Sequence, residues 1–511
     1  MRIIILGFFL ALGSPILNAE DSVSLTKVEW IQKDRPMWGI TLSPDKTRIC
    51  MAGTNHPLEM WDLSKKTDVE FDRPPGGNNS RDCKFSPDGK WLAASDDNGS
   101  AYLIDSKELK VRQKLVGGSS SVSHLAFSPS GEWLAAGGTA PKFLLWNIDS
   151  GELIWEQAMG QFTVEGIAFD PRERFVAVTK NARGKIENQP WSQSTIEYLD
   201  AYLKKSVFEI SVDRLAYSPV FTPDGGLLAW FHEEGNNVIS VLEVASGKII
   251  YRHEIGFAGG VTSLAIHPNG RWLISGHRNG MIAVWDILTG ESLYKKLEPG
   301  VAFVKVATTS DGKHLLTSSG SQTKWHVGVW SFEMAPKAAK AQKGIGKTEW
   351  QDLWAALLET NTKTLSTLSK MVDHGSESVK FLETELKVDG PVVDTKSVSA
   401  LIRQLGDEDF DKRQEASQAL ANADAADELH KALASSNPEV VYRVKKILKT
   451  HPAKSFLVKD PSEIRRLRAI QVLEYIGTEE ARALTLRLAE KDSSVNVRSA
   501  ARSALQRTSK K

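Results

Sequence analysis

Cysteine is almost missing from this chain: Cys50 and Cys83 are the two present in 511 residues. Two thiols cannot build a disulfide scaffold or a four-cysteine zinc site. No Cys-x-x-Cys-His occurs, which excludes covalent haem attachment. Excess charge is missing too. Lys+Arg is 64 and Asp+Glu is 63, a net of +1, so the chain is not a uniformly basic nucleic-acid binder. No apolar run after residue 12 is long enough to cross a bilayer. Neither Gly-x-Ser-x-Gly nor His-Glu-x-x-His occurs, and the 11 histidines show no metal-ligand spacing. Gly344-Ile345-Gly346-Lys347-Thr348 ends like a phosphate loop, but residue 341 is Ala where that motif needs Gly, and no strand precedes it. It reads as linker. No catalytic, metal or cofactor site is therefore assigned, and the chain is expected not to be an enzyme.

The first residues carry a different signal. Arg2 precedes an apolar run from Ile3 to Leu12, which Gly13, Ser14 and Pro15 break, and Leu17-Asn18-Ala19 comes next. This pattern predicts a signal peptide over residues 1–19 and export to the periplasm or beyond the cell. Cys50 and Cys83 would then meet an oxidising compartment. Both lie in strand-like runs, and buried free thiols are the expectation.

Tryptophan is plentiful, at 15 residues, 13 of them before residue 334. A repeat explains them. Ser86-Pro87-Asp88-Gly89 precedes Trp91-Leu92-Ala93-Ala94, and Ser128-Pro129-Ser130-Gly131 precedes Trp133-Leu134-Ala135-Ala136. Thr222-Pro223-Asp224-Gly225 and His267-Pro268-Asn269-Gly270 repeat the pattern, with weaker copies at Ser43-Pro44-Asp45, Asp170-Pro171-Arg172 and Ser310-Asp311-Gly312. Pro presets the first turn position, and Asp-Gly or Asn-Gly accepts the backbone geometry of the next two, so each copy predicts a hairpin. A second mark falls at Trp61, Ile104, Trp146, Leu199, Leu242, Trp285 and Trp330, spaced by 43, 42, 53, 43, 43 and 45 residues.

Seven units of this period resemble the WD40 family over residues 23 to 333. The resemblance implies a seven-bladed β-propeller over residues 20–333 that binds protein partners. The family's Gly-His dipeptide is missing from nearly every copy, and three of the seven Trp positions carry Ile or Leu. Apolar packing, in place of a buried Asp-His-Ser-Trp network, is expected to hold the blades. The seventh unit lacks an outer strand, and the alternating Val23–Trp30 segment is predicted to supply it and close the ring.

The long interval of 53 residues holds an insertion with Arg183 and Trp191. In such propellers the loop between second and third strands opens on the face that usually binds partners. Arg and Trp are common interface anchors. His232, His277 and Arg278 fall at equivalent loops of the fifth and sixth units and could line a ligand mouth. These five residues are candidate partner contacts. Trp191 packed onto its own blade, and histidines in ordinary turns, are the plainer alternatives.

After residue 350 Pro and Gly thin out. Residues 334–347 read as a linker and 348–392 as a helical segment, with Trp350, Leu353, Trp354 and Leu357 at helical spacing. Arg413, Arg443, Arg468 and Arg498 then recur at intervals of 30, 25 and 30 residues, each before small or apolar residues. Residues 393–511 resemble HEAT-like repeats of the phycobilisome-lyase type, implying an all-α solenoid. The whole arrangement is similar to secreted WD40 proteins of planctomycete-type bacteria, a resemblance that implies a fold and no established activity. Residues 443–511 hold 17 Lys+Arg against 7 Asp+Glu. Arg498 and Arg502 are therefore candidate contacts for an acidic protein or an anionic polymer. The favoured alternative gives the repeat arginines structural roles. The expected function is a non-catalytic interaction scaffold. A funnel enzyme or accessory subunit, or a polyanion binder, is the alternative.

Overall fold

A computed structural model of the chain describes residues 23–334 and 344–508, apart from 54–57, 75–78, 183–193, 233–237, 256–258, 389–397, 451–456 and a few single or paired loop positions. Seven four-stranded antiparallel sheets form the blades of a propeller. Blades 1 to 6 occupy residues 37–68, 83–116, 122–158, 162–212, 216–254 and 261–297. Blade 7 takes its three inner strands from Phe303–Thr308, His314–Gly320 and Trp325–Met334, and its outer strand from Val23–Lys33. Val23 faces Met334 and Lys33 faces Trp325, so the chain start and the last blade close the ring through one ladder.

The repeated turns explain why each hairpin forms where it does. The Asp88 carboxylate accepts from Ser86 Oγ at 2.5 Å and from Lys90 N at 3.0 Å, while Ser86 Oγ accepts from Trp91 N at 2.9 Å. Gly89 supplies the left-handed residue, with φ +74°. The same conformation falls on Lys46 (φ 62°) and Glu173 (φ 63°), where the copies lack Gly. The surrounding bonds override a residue preference of about 1–2 kcal/mol.

Apolar packing does not act alone inside the blades, and here the sequence expectation needs correcting. In blade 6 Trp285 Nε1 donates to Ser275 Oγ (2.7 Å), which bonds His277 Nε2 (2.8 Å). His277 Nδ1 meets Gly259 O at 3.3 Å. In blade 5 Trp230 Nε1 and Ser240 Oγ both meet His232 Nε2, and in blade 7 Trp330 Nε1 donates to Thr317 Oγ1. Blades 5 and 6 thus each hold a buried Trp, Ser and His joined by hydrogen bonds.

Cys50 and Cys83 are buried free thiols on adjacent blades, with Cys83 Sγ 3.5 Å from Cys50 O. Burial pushes the Cys50 thiol up, away from the reactive thiolate. Neither is expected to react with Ellman's reagent until denaturant is added, and rapid native labelling would contradict this placement.

Ten helices among the described residues follow the ring: α1 (Lys347–Ala356), α2 (Lys363–Asp373), α3 (Gly375–Leu386), α4 (Val398–Gln404), α5 (Phe410–Asn422), α6 (Ala426–Ala432), α7 (Pro438–Thr450), α8 (Pro461–Ile476), α9 (Glu479–Lys491) and α10 (Val495–Thr508). None of these is long and apolar enough to cross a membrane. Asp460 caps α8 by accepting from Ser462 N, Pro461 starts it, and Gly477 (φ 66°) ends it. The helices do not stand apart from the ring. Leu227, Trp285 and Leu288 of blades 5 and 6 belong to one buried apolar cluster with Trp354, Leu368, Met371, Ile470 and Leu473. A second cluster, including Leu405, Leu420 and Val444, joins α4 to α7.

Candidate functional site: the central channel and the ring–helix clamp

In an antiparallel blade the first and third turns lie on one face of the ring, and the second turn and the inter-blade loops lie on the other. The helical region sits on the first of these faces. Gln471 Nε2 donates to Asp224 and Tyr475 OH donates to Gly270 O, both in first turns. Val458 N donates to Ala245 O in a third turn. His430 lies 3.8 Å from Asp200, which ends the third strand of blade 4. The opposite face, called here the loop face, carries the strand ends that flank residues 183–193.

Arg468 is the centre of the clamp. Its Nε and Nη2 donate to the two Glu243 carboxylate oxygens at 2.6 and 2.7 Å. Its Nη1 donates to Leu357 O (2.6 Å) and Glu359 O (2.8 Å), and Nη2 also reaches Thr360 Oγ1 (3.1 Å). Those five bonds use all five guanidinium donors. Arg468 is 1% exposed and Glu243 4%. Its repeat siblings act differently: Arg413 and Arg498 each donate to the carbonyl six residues earlier, Asp407 and Asp492.

The central channel, about 520 Å³, opens among the first strands of the blades. The position four residues before each first-turn Ser, Thr, Asp or His places Gly39, Asp82, His124, Gly166, Ser218, Ser263 and Lys305 around it. At Gly39 and Gly166 the blades approach too closely for a side chain: an added Cβ would lie 2.9 Å from Asp82 Cα or 2.3 Å from Pro219 Cδ. Asp82 bridges blades 2 and 3, accepting from Cys83 N, Lys84 Nζ (2.8 Å) and Leu125 N (3.0 Å). Ser263 does the same between blades 6 and 7 through Val306 N. Arg81, Lys84 and Glu165 complete the charged lining.

This lining shifts several protons. Burial holds the His124 imidazole down to about 4, opposed by Asp82 and reinforced by Lys305, Lys84 and Arg81. Burial also pushes the Lys305 ammonium down. For Lys84 burial acts the same way, but Asp82 more than offsets it, so its value rises. The Lys84 side chain is 39% exposed.

The residues expected from sequence to bind partners are scattered. Arg183 and Trp191 lie outside the described residues. His232 and His277 do not line a mouth; they are buried inside blades 5 and 6, because their strands extend through them. Arg278 is exposed at the loop face, where its N–H donates to Gly260 O. Arg498 is buried and Arg502 half-buried on α10, with burial lowering both guanidinium values. Much of the basic charge around them is spent internally. Arg443 meets Glu439, Arg466 meets Asp492, Arg487 meets Glu383, and Arg507 grips Glu474 with two bonds of 2.7 Å. Among the described residues no His, Cys, Asp and Glu group could hold a metal.

Because burial holds His277 to about 4, against 6.5 when unfolded, the unfolded chain binds the proton first as pH falls. Its contribution to stability is full above about 6.5 and is lost as pH falls towards 4. His277→Gln is expected to flatten the fall in stability between pH 7 and pH 5 in denaturant titrations. An unchanged slope would count against the buried neutral ring.

The match to a family model agrees with the propeller. The model for "WD domain, G-beta repeat" matches residues 76–105, 109–147 and 248–286. "Protein HIR1" of Chaetomium globosum is 27% identical over 195 residues, 31% of this chain and 18% of that one. "Protein HIR1" of Kluyveromyces lactis is 23% identical over 198 residues, 32% and 23% of the two chains. The chain thus spans about a fifth of the length of these curated relatives. Among solved structures, Kuenenia stuttgartiensis hydrazine synthase matches with a TM-score of 0.48 and 16% identity, over 56% of this chain and 94% of that one.

Proposed function

We propose that this protein is a non-catalytic, exported scaffold that receives protein partners on the loop face of its propeller while the HEAT-like helices brace the other face. The observation that carries this reading is the shared apolar core of blades 5 and 6 with α1, α2 and α8. A continuous core makes ring and helices one surface of fixed geometry, which is what a scaffold needs. WD40 repeats are the matched family model, and no catalytic motif occurs in the sequence. Export rests on the residue pattern of 1–19. Cell fractionation checks it: the mature chain is expected outside the cytoplasm, and a cytoplasmic chain retaining residues 1–19 would refute it.

The binding claim is tested by pull-down from the exported fraction. The intact chain is compared with one in which residues 183–193 are replaced by a Gly-Ser linker of equal length. A protein partner recovered by the first and lost by the second supports the loop face. Recovery of the same partner by both moves the interface elsewhere, and recovery of no partner by either overturns the scaffold reading.

A further inference from the structure

We propose that the protein pairs with a second copy of itself through the outer face of α5 and α7, setting Phe410 and Asp411 of each copy against Tyr442 and Lys446 of the other. Phe410 is 60% exposed and Tyr442 63%, and no other aromatic ring among the described residues is as exposed. Bare aromatic rings beside arginines have the composition of interface anchors. The helices α4 to α7 pack around a core of their own, drawn wholly from residues 398–448.

The two rings belong to one face. Arg443 Nη1 donates to Ser417 Oγ at 3.2 Å, and Arg413 Nε lies 3.5 Å from Glu439 Oε1. These contacts advance by four residues on each helix, so α5 and α7 run side by side and parallel. The guanidinium of Arg413 lies 5.6 Å from the Phe410 ring and that of Arg443 5.7 Å, which holds Phe410 over the seam between the helices. On α7 Tyr442 and Lys446 are four residues apart and share the side opposite buried Val440, Val444 and Ile447. On α5 Asp411 and Gln414 are exposed, away from buried Ala416 and Leu420.

Charge identifies the occupant. Residues 407–411, at the start of α5, carry four carboxylates, and the adjacent Lys412 is turned to Asp407 at 3.9 Å. Lys445 and Lys446 stand beyond Tyr442, towards the other end of the face, and both are exposed. Neither Asp411 nor Lys446 is ion-paired among the described residues. A face that is acidic at one end, aromatic between and basic at the other is complementary to itself. A two-fold axis in the contact plane, perpendicular to the line from Phe410 to Tyr442, superposes unlike ends. Each Phe410 then meets a Tyr442, and each Asp411 a Lys446, twice over, as an isologous interface requires.

The test is sedimentation equilibrium of the full chain over about 1–100 μM, the range in which a small interface of this kind associates. A monomer–dimer equilibrium is expected. Phe410→Ala combined with Tyr442→Ala should weaken it at least about tenfold, the loss of two aromatic anchors. Asp411→Lys and Lys446→Asp should each weaken it when alone, because like charges then face each other. An equimolar mixture of those two variants should associate again, because both ion pairs are restored between unlike chains. Circular dichroism checks the fold. If the double alanine variant loses helix, the charge-swapped pair decides the matter. A chain that stays monomeric throughout overturns the proposal. So does a dimer that the folded variants leave unchanged, or a mixture no stronger than its components.

Discussion

Arg468→Met is expected to destabilise the protein by about 3–5 kcal/mol, the cost of leaving one partner of a buried ion pair uncompensated. The substitution strands Glu243, 4% exposed, with no guanidinium beside it. It also removes the donors to Leu357 O and Glu359 O, just beyond the end of α1. The apolar cluster beneath remains, so the helices should still fold. What changes is their coupling to the ring: one unfolding transition should separate into two. The double variant Glu243→Gln with Arg468→Met removes the stranded charge and should recover part of the loss. Replacing a whole buried pair costs far less than breaking it. Differential scanning calorimetry of the three chains checks this. A single variant as stable as the parent would mean that the clamp contributes nothing.

Deleting residues 23–33 is expected to abolish cooperative folding of the ring. Val23, Leu25 and Ile31 are buried, and each contributes roughly 1.5–3 kcal/mol. Trp30 stacks on His326 at 4.8 Å and meets Trp330 edge-on at 6.0 Å. The deletion bares Phe332 and leaves the Trp325–Met334 strand as an open edge, prone to pairing with other chains. The summed loss is comparable with the roughly 5–15 kcal/mol that holds a typical domain folded. Val28→Lys is the control, because Val28 is 55% exposed and should change stability by no more than about 0.5 kcal/mol. A deleted chain that unfolds at the parent's temperature would refute the closure.

The propeller was legible because its signal is local. A Pro-Asp-Gly turn and the two strands beside it lie within a dozen residues, and seven copies reinforce one another. Ring closure was legible for a different reason: although the two strands lie at opposite ends of the ring's sequence, a blade short of a strand and an unassigned alternating Val23–Trp30 segment call for each other. The clamp was not. Arg468 looks like Arg413 and Arg498 in the repeat register, and its partner Glu243 lies 225 residues away. The histidines were ambiguous because strand ends and loops look alike in sequence, and the pairing of His277 with Val261 puts its side chain inside the blade. The basic count overstates the free charge of the helical end because counting ignores pairing, and Glu439, Glu474 and Asp492 absorb much of it, in line with the structural roles favoured for the repeat arginines. The channel was readable in principle. Aligning the copies on their turns puts Asp82, His124 and Lys305 at one repeat position.

That ring and helices form one rigid body is tested most directly by a distance between them. Spin labels placed through Lys65→Cys on blade 1, 77% exposed, and Leu486→Cys on α9, 48% exposed, report it by double electron–electron resonance. One narrow distance distribution is expected, broadening when Arg468→Met is added. A broad or multiple distribution in the otherwise unaltered chain would contradict the shared core on which the scaffold rests.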